Sequence, residues 1–216
     1  MPAGVRGMSD AAKAASASLV GGVRRRRAVV RTEGIRELLL QALETELGGV
    51  QIYENAVQCA AHHELRREWE RFLGQTKNHV NVVRTILVKL GVDPERETTG
   101  REIARAIAGA LVDAMIVARN SGDPRTAELV AAECVVLAET NDHRNWELID
   151  EAAKGLDFPG APVLSRARND VAAEVEEHLF HTAAWCRELW RESLGVPAAL
   201  PPPEVRAAAA ASRNSS

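Results

Sequence analysis

The chain lacks most of the residues and patterns that announce a chemistry. It has three cysteines in 216 residues (Cys59, Cys134 and Cys186), far apart and with no CxxC spacing. Each lies in an apolar helical context and reads as a reduced core thiol, which places the protein in the cytoplasm. Aromatic residues make up only 4% of the chain, and the apolar residues are mostly Ala, Val and Leu. That balance favours helix over sheet. The net charge of −3 gives no global basic field, so nucleic acid is not expected as a main partner. The one basic run, Arg24 to Arg27, supports only weak anion contacts. No apolar run approaches the ~20 residues of a membrane span. The stretch AASASLVGGV is weakly hydrophobic and is followed, not preceded, by arginines, so no signal peptide is read. GxGxxG, Walker and nucleophile-elbow patterns are all missing. So is any run of period-two alternation strong enough for a strand.

What the chain does have is helix. It is 46% hydrophobic, enough for a substantial core. Residues 1–31, rich in Ala, Ser, Gly and Arg, read as a flexible leader. Residues 196–216, with PAALPPP and a small polar end, read as an extended tail. Between them, residues 32–195 form one helical domain. Helices are expected over about Thr32–His62, Glu64–Leu90, Gly100–Arg119, Pro124–Lys154 and Pro162–Leu194. Thr32 is the first cap, Pro124 a first-turn residue, and Gly91, Gly155 and Gly195 are stops. Four helices of ~25–30 residues, each ~40 Å long, plus one shorter helix suggest an all-α antiparallel four-helix bundle with one extra helix.

Helical projection identifies which residues turn inward. In the first helix Ile35, Leu39, Ala42, Leu43, Val50, Tyr53, Val57 and Ala60 form a stripe, with Glu46 in its middle. In the fourth, Ala132, Val135, Val136, Trp146 and Ala153 surround Glu139, and His143 lies one turn on. In the second, His79 sits at the edge of a stripe that runs from Trp69 to Leu87. In the last, within EVEEHLFHTAAW, His178 falls inside the stripe. Glu174, His181 and Trp185 flank it, and Glu176 and Glu177 point away. Thr182 is that stripe's one hydroxyl, suited to bonding back to its own helix. A buried carboxylate must protonate, pair or bind a cation. Two helices each supply one and two others each supply an imidazole, an arrangement by which bundles hold metals. Oxygen and nitrogen donors without thiolate suit iron or manganese, with zinc also compatible.

An internal repeat supports the pairing. LETELGGVQIYENA and VLAETNDHRNWELI share a Glu followed seven residues on by an aromatic, then a second Glu, as two related helical hairpins would. On these residues the chain resembles the ferritin-like superfamily, especially rubrerythrin- and bacterioferritin-type bundles, over roughly residues 32–195. That family places a Glu on each of two helices and Glu-x-x-His on each of the other two. The resemblance makes Glu46 and Glu139 the single glutamates and His79 and His178 the histidines. In TKNH the bridging Glu position holds Thr76, and in VEEH it holds Val175. A mononuclear site, a binuclear site completed by His143, Glu174 or His181, and a lapsed site are the three outcomes compatible with that departure.

Two functions follow. One is a metalloprotein that reacts with dioxygen or peroxide and takes its reductant from elsewhere, there being no CxxC pair for a rubredoxin-type donor. The other is a non-catalytic helical interaction module whose buried Glu and His fix helix pairing. In the second case the wide apolar face of REIARAIAGALVDAMIVAR is a homodimer contact. Gly48 and Gly49 inside the first helix are read as permitting close helix contact.

Overall fold

The computed structural model describes residues 10–155 and 158–199, with side chains from Glu33 onward. Five helices are connected by short turns: α1 Asp10–Cys59, α2 His63–Lys89, α3 Thr99–Asn120, α4 Pro124–Gly155 and α5 Ala161–Ser193. The described residues contain no strand, and none of their helices is long and apolar enough to cross a membrane. The last four helices begin and end within a residue or two of the positions the sequence implies. α1 differs at both ends. Its backbone is helical from Asp10, well before Thr32, and it stops at Cys59, short of His62. Ala-rich sequence such as AAKAASAS has high intrinsic helix preference. Residues 1–9 of the expected leader and residues 200–216 of the expected tail lie outside the described residues. The first tail residues fold back on α5: Arg191 Nε donates to the Pro197 carbonyl at 2.8 Å, and the Ala199 amide to Glu188 at 2.9 Å.

The helix ends follow local chemistry. Thr98 accepts from the Arg101 amide at 3.2 Å and caps α3. Asp123 accepts from the amides of Arg125 and Thr126 ahead of α4. α2 and α5 stop where Gly91 (φ 68°) and Gly195 (φ 67°) take the left-handed conformation that a side chain resists. The turn into α2 has no local side-chain cap. Buried Glu128 of α4 accepts there from the amides of Ala61 (2.9 Å) and His62 (2.7 Å) instead.

α1 packs on α2, α3 and α4, α5 packs on α4 and α2, and α3 also touches α4. Contacts therefore run in a circuit from α1 to α2, α5, α4 and back, with α3 laid on α1 and α4. α3 approaches α1 closely at Gly48: a Cβ there would lie 2.5 Å from Ala108 Cβ. The glycine is thus a packing device, as the sequence implies.

The interior is layered. One apolar cluster gathers Leu39, Leu43, Val83, Leu87, Trp146, Ile149, Val171 and Val175. A second gathers Tyr53, Trp69, Phe72, Met115, Ala131 and Val135. Between them, on all four helices of the circuit, lies a buried polar layer. It contains Glu46 on α1, Thr76 and His79 on α2, Glu139 and Asp142 on α4, and His178 and Thr182 on α5.

Candidate metal centre

Each helix delivers one or two polar residues to this layer where its apolar stripe is interrupted. The side chains at the interruption are carried inward by neighbours a turn away on either side. Glu46 is 3% exposed, Glu139 5%, Asp142 7%, and His79 and His178 1% each. Charged groups this dry need partners.

The two imidazoles are held in matching ways. His79 Nε2 lies 2.8 Å from Glu174 Oε2, and His178 Nε2 lies 2.9 Å from Gln75 Oε1. Both partners are acceptors, so each Nε2 carries the ring proton and donates it outward. The other nitrogens face the buried acids: His79 Nδ1 is 3.6 Å from Glu46 Oε1, and His178 Nδ1 is 3.7 Å from Glu139 Oε2. The rings lie 24° from parallel with centroids 5.7 Å apart. Trp146 Nε1 donates to Glu46 Oε1 at 2.9 Å and fixes that carboxylate.

Several buried atoms of the layer have no hydrogen-bond partner among the described residues: Tyr53 Oη, Glu139 Oε2, Asp142 Oδ1 and Thr182 Oγ1. Thr182 thus does not return its hydroxyl to its own helix. The α2 hydroxyl does, with Thr76 Oγ1 donating to the Phe72 carbonyl at 2.9 Å. Unmet polar atoms concentrated in one layer carry a free-energy cost of about 1–3 kcal/mol each.

The acid–base character follows from this packing. Burial would lower His79, but its bonds to Glu46 and Glu174 outweigh that and hold the imidazole above its usual value. Burial pushes Asp142 well above the carboxylate range, and the charges of Glu46 and Glu139 add to it. Burial likewise raises the Tyr53 phenol, followed by the charge of Glu139.

Of the seven residues implied by the sequence, the structure gathers Glu46, His79, Glu139 and His178. Glu174, with its side chain 34% exposed, joins from the rim through His79 Nε2. His143 does not join the set: its Nδ1 faces Glu147 at 3.7 Å and its ring lies beside Phe180. His181 is at the surface, its Nδ1 2.6 Å from Glu68 Oε1. Glu177, expected to point away, forms a two-pronged pair with Arg71 across α2 and α5 at 2.7 and 2.8 Å. Two members of the layer were missed. Asp142 sits one turn from Glu139, so Glu-x-x-Asp at i,i+3 is the signal that finds it. Gln75 carries no distinguishing signal, because a glutamine between Phe72 and Thr76 reads as an ordinary polar position.

As placed, no group of three or more His, Cys, Asp and Glu among the described residues is disposed to hold a metal ion. The donor chemistry nevertheless fits one. Two ligands ~2.0–2.1 Å from a common ion lie about 3.0–3.4 Å apart, within a few tenths of an ångström of the Glu46–His79 and Glu139–His178 separations of 3.6 and 3.7 Å. No family model, curated protein or solved structure matches the chain.

Proposed function

We propose that the protein is a ferritin-like, antiparallel four-helix metalloprotein. In this reading Glu46, His79, Glu139 and His178 hold iron or manganese, and the bound metal supplies oxidoreductase chemistry on dioxygen or peroxide in the cytoplasm. The observation that carries the reading is the matched pair of imidazoles. Each has Nε2 held outward by an acceptor and Nδ1 turned toward a buried carboxylate. That is how proteins orient a metal-ligating histidine, with the far nitrogen donating to a carboxylate or carbonyl oxygen. It makes Glu174 and Gln75 orienting groups, both partly buried. The circuit of contacts through α1, α2, α5 and α4 supports the bundle assignment.

Elemental analysis of purified protein, followed by visible spectroscopy after aerobic iron loading, tests the proposal. Bound iron or manganese, lost in a Glu46→Gln, Glu139→Gln double variant that stays folded, is expected. A folded wild-type chain that takes up no iron, manganese or zinc sinks the reading.

A second reading is favoured by the absence of a converged three-residue group among the described residues. Here the layer is a hydrogen-bonded device that fixes helix pairing, with protons where a metal would stand. The chain is then an interaction module, and the exposed Ile103, Ile107 and Val117 of α3 face a second copy of itself. A monomer by sedimentation at tens of micromolar removes that alternative.

A further inference from the structure

From the placement of α4 we infer that Asp142 is a third carboxylate ligand of the centre, supplied where α2 and α5 offer none. This inference rests on the metalloprotein reading above. The two positions that would contribute further acids from α2 and α5 are occupied by Thr76 and Val175, both buried. Thr76 spends its hydroxyl on the Phe72 carbonyl, and valine has nothing to offer. α4 carries Glu139 and Asp142 at i,i+3, so both project from one face into the same layer. Asp142 is buried, and its Oδ1 has no partner among the described residues.

A structural aspartate in a dry core is held by donors, as Glu44 is elsewhere in this chain. No arginine or lysine reaches Asp142 in this way, and its buried Oδ1 meets no donor among the described residues. An independent group points to the same place: the fully buried Tyr53, whose ring lies 5.9 Å from that of His178, has a hydroxyl without a partner among the described residues. Three carboxylates and one phenol around two outward-anchored imidazoles make a donor set that a cation neutralises. Asp142 therefore ligates from the α4 side, one turn from Glu139. The centre is lopsided toward α1 and α4, with acids there and imidazoles from α2 and α5.

The test uses the full chain and Co2+ as the probe. Wild type is titrated with Co2+ and its ligand-field absorption recorded, then Asp142→Asn and Asp142→Cys are treated identically. Asn has the same shape without the charge, so the variant is expected to stay folded and to bind Co2+ at least ~10-fold more weakly. Cys puts a thiolate at the proposed ligand position, and a sulfur-to-cobalt charge-transfer band absent from wild type is expected. A purely structural aspartate gives no such band. The inference is overturned if wild type binds Co2+ and Asp142→Asn binds it within twofold as tightly. It is also overturned if the folded, Co2+-loaded Asp142→Cys protein shows no new band. If folded wild type binds no Co2+, iron or manganese, the metalloprotein reading fails and this inference falls with it, a result distinct from either of the other two.

Discussion

Glu44 and Glu46 stand two residues apart on α1, both buried, and they meet opposite fates. Glu44 faces α3, where Arg101 reaches its Oε2 from Nε (2.9 Å) and from the terminal nitrogen (2.7 Å), and Arg105 adds a bond to Oε1 at 2.8 Å. The third arm of Arg101 donates to the carbonyls of Pro94 and Arg96. Every strong donor and acceptor in that knot is met. On the opposite side of α1, Glu46 shares a layer with two more acids, two imidazoles and a phenol. Of these, Glu139 Oε2, Asp142 Oδ1 and Tyr53 Oη have no partner among the described residues. The same chain satisfies one buried carboxylate with two guanidiniums and leaves the neighbouring set short of positive charge. A polar group retained for stability looks like the first. The second costs stability, because cores tolerate unmet polar atoms poorly.

The largest effect expected from breaking this contrast is on the satisfied side. Arg101→Ala leaves Glu44 buried without its main partner, and removing one member of a buried pair costs about 3–5 kcal/mol. Urea denaturation measures it, and a loss under ~1 kcal/mol would mean the knot is not the clamp for α3 described here.

The unsatisfied side should respond with the opposite sign. Asp142→Asn in metal-free protein is expected to gain about 1–3 kcal/mol near neutral pH, because the amide needs no proton and brings N–H donors to carboxylate oxygens that lack them. The pH dependence sharpens the comparison. Native Asp142 holds its proton well above the ordinary carboxylate range, raised first by burial. From about pH 4 upward the unfolded chain has shed that proton, so the native state binds more protons and stability falls as pH rises. Asn has no proton to hold, so the gain from the substitution grows from pH ~4 toward neutrality. Glu44 runs the other way. Burial raises it, but its bonds to Arg105 and Arg101 outweigh burial and hold it below its usual value. Its contribution is present above the ordinary Glu range and is lost as pH falls through the lowered native value. In thermal melts Asp142→Asn should therefore gain on wild type from about pH 4 toward neutrality, and Glu44→Gln should converge with wild type as pH falls below about 4. Parallel trends would show that the two carboxylates do not differ as their surroundings imply.

How far such behaviour could be read from sequence depends on whether the cause is local. Helix ends were legible because caps, prolines and glycines act within a turn. Glu46, Glu139 and His178 were legible because each interrupts an otherwise apolar stripe, and periodicity projects that directly. Asp142 carried the same kind of signal, at i,i+3 from Glu139, but lies on the stripe's flank, where small errors of phase decide the outcome. His143 and His181 fall on the other side of that line: both lie on flanks, and packing turned them toward Phe180 and Glu68. The Glu44–Arg101 knot was not legible at all. An arginine in an Ala-rich helix reads as solvated, and its partner lies 57 residues away.

Gly48 lies one turn on from Glu44, on the side of α1 that meets α3, and it sets the next effect. A methyl group there would stand 2.5 Å from Ala108 Cβ, whereas at Gly49 the nearest contact is Thr76 Cγ2 at 3.2 Å. Gly48→Ala must push α3 away and is expected to cost about 1–3 kcal/mol, as overpacking does. Gly49→Ala should cost less, because Ala's helix preference offsets a contact that a small shift relieves. Equal losses in urea denaturation would mean that α3 is not seated on Gly48.

The smallest effect is expected where charges are paired in water. Arg71 and Glu177 form a bidentate link between α2 and α5 close to the polar layer. The Arg71 side chain is nearly half exposed, so solvent and side-chain entropy offset most of the attraction. Arg71→Ala should therefore cost no more than ~1 kcal/mol, and the loss should shrink further in ~1 M salt. A loss comparable to that of Arg101→Ala would mean that the α2–α5 face is held by this pair, and that the polar layer behind it contributes less to the packing of these two helices than its burial implies. A small, salt-sensitive loss leaves the buried layer and the apolar clusters above and below it as what holds α5 in place.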